Sequence, residues 1–264
     1  MRPYVLKETN WKDVRDRDFK MALLPWGATE AHNYHLPYGT DSYLGEEVAI
    51  EAARKAWEQG TQSIVLPCVP FGVNTGQIDV PFCINMNPST QIVVLKDILK
   101  VLSYHDINKL VIVNAHGGNN FKPMIREVYL DFPEVFVCSL NWWDFGDAQA
   151  TFDQPGDHAG ELETSGIMYF FPELVLPLDQ AGSGTSFPYR IKAMREGKVI
   201  SQRIWGQATA DTGVGDPKAS SAEKGKKFVE ETTDNIASFL VELRHTSIDE
   251  MYEDGKNWFE IEGK

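Results

Sequence analysis

Three short segments of the chain concentrate the side chains that can hold a cation or move a proton. The first is Glu30-Ala31-His32-Asn33-Tyr34-His35-Leu36-Pro37-Tyr38-Gly39-Thr40-Asp41, which sets two carboxylates and two imidazoles within twelve positions. Imidazole nitrogen beside carboxylate oxygen is a donor set for Zn, Mn or Fe, whereas Mg and Ca prefer oxygen alone. Glu30 and His32 are two apart, so an extended backbone would point both the same way. Asp41 has two oxygens with which to bridge two cations. The alternative is that Asp41 or Thr40 only caps the next helix, with His35 a hydrogen-bonded core histidine.

The second segment is Asn114-Ala115-His116-Gly117-Gly118-Asn119-Asn120. Two glycines after a histidine let a ligand approach the backbone closely, and the amides there can face an oxyanion. The competing reading is a tight strand-to-helix turn with an incidental histidine. The third is Asp157-His158-Ala159-Gly160-Glu161-Leu162-Glu163-Thr164-Ser165. Glu161 and Glu163 are two apart at a helix start, so both cannot point into one site, and a carboxylate in a first helical turn is already favoured by the helix dipole. His158 lies in the Gly-containing loop before that helix, where a mobile acid/base could sit. Together the segments predict a two-metal hydrolytic centre, in which ions about 3.5–4 Å apart produce hydroxide near neutral pH. The chain has no G-x-S-x-G elbow, Walker loop or G-x-G-x-x-G, which disfavours esterase, nucleotide-hydrolase and dinucleotide chemistry.

These segments need a scaffold, and the hydrophobic pattern supplies one. Apolar runs at Met21–Pro25, Ser63–Val69, Leu110–Val113 and Val135–Leu140 read as strands, near-continuous as in a parallel sheet buried on both faces. Between them, residues 42–58, 91–105 and 121–132 have helical spacing. Glu161–Phe171 follows as a helix stopped by Pro172, and Ser220-Ser221-Ala222-Glu223 offers a capping box for a last one. The expected fold class is α/β, a three-layer α/β/α sandwich with a mainly parallel central sheet. Ligands collect at the carboxyl ends of strands in such sheets, and the three loops WGATEAHNYH, NAHGGNN and NWWDFGD all follow strands. Residues 1–264 are expected to form a single domain with a C-terminal tail at 246–264. Met251, Tyr252, Trp258 and Phe259 of that tail are placed to pack on the domain or on a second subunit.

The 264 residues are enough for one large core, and hydrophobic residues at 42% with charged residues at 24% exclude wholesale disorder. A formal net charge of −13 argues against nucleic acid or anionic membrane as partner. Cys68, Cys83 and Cys138 are an odd number at wide spacing, which argues against a disulfide framework and suits a cytoplasmic location. The polar N-terminus has no signal-peptide pattern, and no stretch approaches the apolar length of a membrane span.

The segments GATEAHNYHLPYGTD (27–41), NAHGGN (114–119), HAGELETS (158–165) and GVGDPKASSAEKG (213–225), in this order, resemble the creatininase (creatinine amidohydrolase) family. The resemblance covers about residues 21–245 and implies a dinuclear centre of Zn and/or Mn, with iron as a third candidate, in an enzyme often assembled as a hexamer. By position, Glu30 and His32 would each hold one ion, Asp41 would bridge, and His116 would complete the first ion's set. Creatininase takes a second-ion ligand from a Glu two residues after that His. Gly118 stands there, and Glu163 is the replacement implied by relatives with the same HGGN. His158 matches a catalytic histidine that carries a proton to the leaving nitrogen. Trp143 matches an aromatic of the substrate pocket, and Gly117 or Gly118 N–H would help hold the oxyanion. The implied activity is hydrolysis of a non-peptide, cyclic amide C–N bond of a small molecule by metal-bound hydroxide. Ala31 and Asn33-Tyr34 replace the family's Gln and Gly-Pro at the pocket rim, and the departures at Gly118 and Ala31 keep two relatives' reactions open: deformylation of a ring-opened purine, or a peptide-processing step. A catalytically silent metal-binding protein is the alternative from another class.

Overall fold

The structure, a computed structural model, describes residues 2–253. Its central sheet has four parallel strands: β1 (Met21–Trp26), β2 (Ser63–Val65), β3 (Lys109–Asn114) and β4 (Phe136–Asn141), in the order β2-β1-β3-β4. Five longer helices accompany it: α1 (Thr40–Glu58), α2 (Pro88–Tyr104), α3 (Phe121–Asp131), α4 (Glu161–Phe170) and α5 (Ala222–His245). Successive residues of a strand point to opposite faces, and two cores result. Met21, Leu23, Val111 and Val113 pack with Leu44 and Val48 of α1 and with Phe228, Ile236 and Leu240 of α5. Ala22, Leu24, Leu110 and Ile112 pack with Leu95 and Leu99 of α2 and with Phe121 and Val128 of α3. Every residue of β1 and β3 is buried, which is why these strands read as unbroken apolar runs rather than as an alternating pattern. The α/β/α architecture is therefore the one expected.

The register fixes where the loops begin. Trp26, Asn114 and Asn141, the last residues of β1, β3 and β4, are paired across the sheet. The chain leaves β1 for β2 on one side and returns to β3 on the other, so the connections part at the carboxyl ends of β1 and β3. That parting is the crevice where open α/β sheets hold ligands.

Some boundaries differ from expectation. The strand expected over Ser63–Val69 ends at Val65. Pro67 has no N–H to donate, and the contact with β1 resumes only at Val69, whose N–H meets Pro25 O at 3.0 Å after Leu66 N–H meets Leu23 O at 2.8 Å. Three steps on one strand against two on the other make a bulge. The last helix is capped one residue later than the expected box: Ser221 Oγ accepts from Lys224 N–H, so Glu223 cannot close the reciprocal half. Residues 180–219 hold only short helical turns and isolated bridges. Met251 packs against the first core and Tyr252 is exposed, while Trp258 and Phe259 lie outside the described residues. Among the described residues no helix is long and apolar enough to cross a membrane.

Candidate metal centre

Glu30 and His32 follow β1, His116 follows β3, Asp41 lies in the first turn of α1, and Glu163 in the first turn of α4. The structure brings all five together, with His158, at the carboxyl end of the sheet. His32 Nε2 is 2.9 Å from Asp41 Oδ1 and 3.9 Å from Glu163 Oε2. His116 Nδ1 is 2.8 Å from Glu30 Oε1 and 3.1 Å from Asp41 Oδ2. Two triads result, Glu30/Asp41/His116 and His32/Asp41/Glu163, and the ligand atoms of each lie within 4.8 Å of one another. Asp41 belongs to both. A third grouping, Glu30/His32/His158, is looser at His158, whose Nδ1 is 3.9 Å from Glu30 Oε1.

Each imidazole is oriented by a backbone carbonyl. His32 Nδ1 meets Glu30 O at 3.2 Å, His116 Nε2 meets Val73 O at 3.1 Å, and His158 Nε2 meets Ala31 O at 2.8 Å. A carbonyl only accepts, so that ring nitrogen carries the hydrogen and the other is the one that would offer its lone pair to a cation in the cluster. Glu163 Oε2 accepts from Ala159 N–H at 2.6 Å. Asp41 Oδ2 is buried and, though close to His116, makes no hydrogen bond. A buried carboxylate oxygen without an aligned hydrogen bond, among oriented imidazoles, fits a cation in that place.

The charges point the same way. Burial opposes a charged His32, yet Asp41, Glu163 and Glu30 hold its pKa up at about 10. Burial likewise opposes a charged His116, and Glu30 and Asp41 outweigh it. Asp41 is held well below the usual carboxylate range by His32 and His116 despite its burial. Burial pushes Glu163 up to about 7, with Asp41 adding to the effect and His32 opposing it. Burial, reinforced by His32, pushes His158 down to about 4. The cluster thus holds more negative charge than its surroundings neutralise, and protons on His32 and His116 take the place cations would fill.

The open choices of the sequence are resolved here. Gly39 is the N-cap residue of α1, so Asp41 is free to face the cluster rather than cap the helix. His35 is a core histidine: Nε2 meets Thr164 Oγ1 at 2.9 Å, and burial pushes its pKa to about 4. Glu161 turns away to Lys224 Nζ and Gln154 N–H, and Glu163 alone of the pair enters the cluster. The segment of His158, read from sequence as a place for a mobile acid/base, is tied to its neighbours. The His158 backbone is paired to Val214 in both directions and its ring packs between His32, at 4.0 Å, and the tilted ring of Trp205, at 4.6 Å. Gly118 is a steric necessity, since a Cβ there would lie 2.4 Å from both His116 Nε2 and Val73 O. A side chain at that position would break the bond that orients His116.

A cavity of about 520 Å³ opens onto the cluster, with Gly117, Gly118, Trp142 and Trp143 in its wall. Sequence reasoning missed two contributors. Gln77, fully buried, donates from Nε2 to Glu30 Oε2. Trp205 covers His158 from a segment with no periodic pattern. Neither is a metal-ligand residue type, and neither lies in a motif, so no local signal marks them.

The family model described as creatininase (creatinine amidohydrolase) matches residues 7–240. The chain is similar to a mycofactocin precursor peptide peptidase of Mycobacterium ulcerans, 27% identical with 82% of each chain covered. It is also similar to creatinine amidohydrolase of Pseudomonas putida, 24% identical over 89% of this chain and 95% of that one. A crystal structure from Bacteroides fragilis, provisionally assigned as a creatinine amidohydrolase, superposes with a TM-score of 0.91 at 39% identity, covering 96% and 100%. A manganese form of creatininase superposes at 0.73 with 24% identity, covering 92% and 99%, a likeness of fold. With the match running across the sheet and all the loops that build the cluster, the chain belongs to the creatininase family.

Proposed function

We infer that the chain is a metal-dependent amidohydrolase that cleaves a non-peptide amide C–N bond, cyclic as in creatinine, in a small-molecule substrate. The observation that carries this reading is the pair of ligand triads sharing Asp41. Glu30, Asp41 and His116 would hold one divalent cation, and His32, Asp41 and Glu163 a second. Nitrogen with carboxylate oxygen suits Zn or Mn. When bound, such a pair lowers the pKa of water and polarises a carbonyl oxygen. The chain's own side chains do the rest. Gln77 holds one oxygen of Glu30 and leaves the other for His116. His158, neutral at pH 7, can take a proton at Nδ1 from the attacking water and return it to the leaving nitrogen. Gly117, Gly118 and Trp143 line the cavity; in this reading the Gly117 or Gly118 N–H would help hold the developing oxyanion and Trp143 would face the substrate. The working form in this reading is a homo-oligomer.

The cavity favours a second reading of the substrate. About 520 Å³ is room for a ligand larger than one small ring. That suits a ring-opened purine bearing a formamide, or a peptide as in the mycobacterial peptidase it resembles. Metal analysis of the purified protein, followed by turnover of creatinine, hydantoins and formylaminopyrimidines with Zn or Mn, separates these substrates. Several kcal/mol of charge stabilisation is at stake, so Asp41→Ala should cost about a thousand-fold or more. Protein that binds no transition metal and keeps its turnover in Asp41→Ala would sink the reading.

A further inference from the structure

Residues 185–210 form a loop closed at its neck. Ser186 bridges Thr209, Phe187 N–H donates to Ala208 O at 2.7 Å, and Ala210 N–H donates to Thr185 O at 3.0 Å. Its far part runs across the mouth of the cavity, where Gln202, Arg203 and Trp205 contribute to the wall. Thr75 Oγ1 donates to Gln202 Oε1 at 2.7 Å, which seats the loop on the segment carrying Gln77. The Arg203 guanidinium carbon lies 5.2 Å from the centre of the Trp205 ring, and that ring is 4.6 Å from the ring of His158. A run of touching side chains thus leads from His158 in the buried cluster to Arg203 at the mouth. Among the described residues lining the cavity, Arg203 is the one lysine or arginine.

We propose that Arg203 anchors an anionic group of the substrate, so that the chain acts on amides bearing a carboxylate a few bonds from the scissile carbonyl. This rests on the hydrolase reading above and deepens it. Four carboxylates line the cavity: Glu30, Asp41, Asp157 and Glu163. Asp157 is taken up by Arg203, its Oδ2 accepting from Nη1 at 2.7 Å. Two divalent cations on the other three leave one positive charge, which the hydroxide of the hydrolase reading takes up, so a preference for an anion would fall to the guanidinium. A guanidinium offers five donors in a planar fork. Asp157 engages Nη1 and the Trp205 face steadies the plane, leaving Nε and Nη2 for a carboxylate. These spacings put the guanidinium carbon within about 10 Å of the His158 ring. That span accommodates a carboxylate carbon about three bonds from the carbonyl under attack, with room for hydrogen bonds at both ends.

The test is calorimetric titration of protein loaded with Zn or Mn, its metal content measured, against two matched pairs. These are dihydroorotate with dihydrouracil, and hydantoin-5-acetate with hydantoin, which differ by the carboxylate-bearing substituent. The carboxylate member of at least one pair should bind about ten-fold more tightly than its neutral partner. Arg203→Gln should reduce that preference to within about two-fold, with circular dichroism and metal content unchanged. Arg203 is partly exposed, so its replacement leaves the core intact. No preference in either pair overturns the proposal, as does a preference that survives in Arg203→Gln, because the metals alone would then draw the carboxylate. Failure to take up metal sinks the hydrolase reading itself, whereas metal uptake without the preference sinks only the role of Arg203.

Discussion

At the residue scale the position of Glu30 depends on Gln77. Its amide is buried, Nε2 donates to Glu30 Oε2, and Oε1 accepts from Cys83 Sγ at 3.2 Å. Cys83 in turn accepts from Ala31 N–H at 3.2 Å. With the thiol supplying a donor, the amide is held in one orientation and Glu30 Oε1 stays aimed at His116. Hydrogen-bond partners behind a ligand typically carry about 10–100-fold in metal affinity. Gln77→Leu should therefore weaken Zn or Mn binding by about that factor in a chelator competition, while Gln77→Glu, a second buried acid beside Glu30, should also weaken it. Wild-type affinity in both variants would show that Glu30 needs no support.

At the element scale the site depends on helix starts. α1 and α4 begin at Gly39 and Gly160, neither of which makes a side-chain cap. Each carries a cluster carboxylate in its first turn, where the positive end of the helix dipole favours it. α4 is positioned by α5. A Cβ on Gly225 would sit 1.9 Å from Ser165 O, so the helices meet backbone to backbone there. Replacing a helical glycine by alanine normally stabilises by up to about 1 kcal/mol. Here the overlap is with backbone, and overpacking costs about 1–3 kcal/mol or more, so the sign should reverse. Gly225→Ala is expected to lower stability by about 1–2 kcal/mol net in urea unfolding and to disturb Glu163 through α4. An unchanged or raised midpoint would mean that the helices part without cost.

At the scale of the whole molecule the cluster links cation binding to stability. Its acids and imidazoles come from loops after β1 and β3 and from the starts of α1 and α4. A cation there would bind the folded chain alone, and at a hundred-fold excess over Kd that would contribute about 2.7 kcal/mol. Removing metal with a chelator should accordingly lower Tm by several degrees. Protons compete for the same place. His32 has its pKa raised from 6.5 to about 10 in the cation-free fold. Its contribution to that fold is fully present below about pH 6.5 and is lost as pH rises toward about 10. Metal binding displaces the proton. The Tm gain on adding Zn or Mn should therefore be larger near pH 8 than near pH 6, with proton release in calorimetry. A gain that shrinks as pH rises would contradict this account.

The amino-acid order alone outlines the strands and the main helices and, with the family resemblance, points to the candidate ligands. Continuous apolar runs force burial on both faces of a sheet, and parallel strands force their following loops to one edge. Those constraints are local in sequence, so Glu30, His32, Asp41 and His116 could be read from short segments. The choice of Glu163 over Glu161 could not, because it turns on Lys224 of α5 taking the other carboxylate. Nor could the fixed His158, pinned by Val214 and Ala31, or the parts played by Gln77, Arg203 and Trp205. These lie in loops without hydrophobic period, and their partners are remote in the chain. Periodicity reports which face of an element is buried; only the packed fold decides which polar groups from separate loops come within hydrogen-bonding reach.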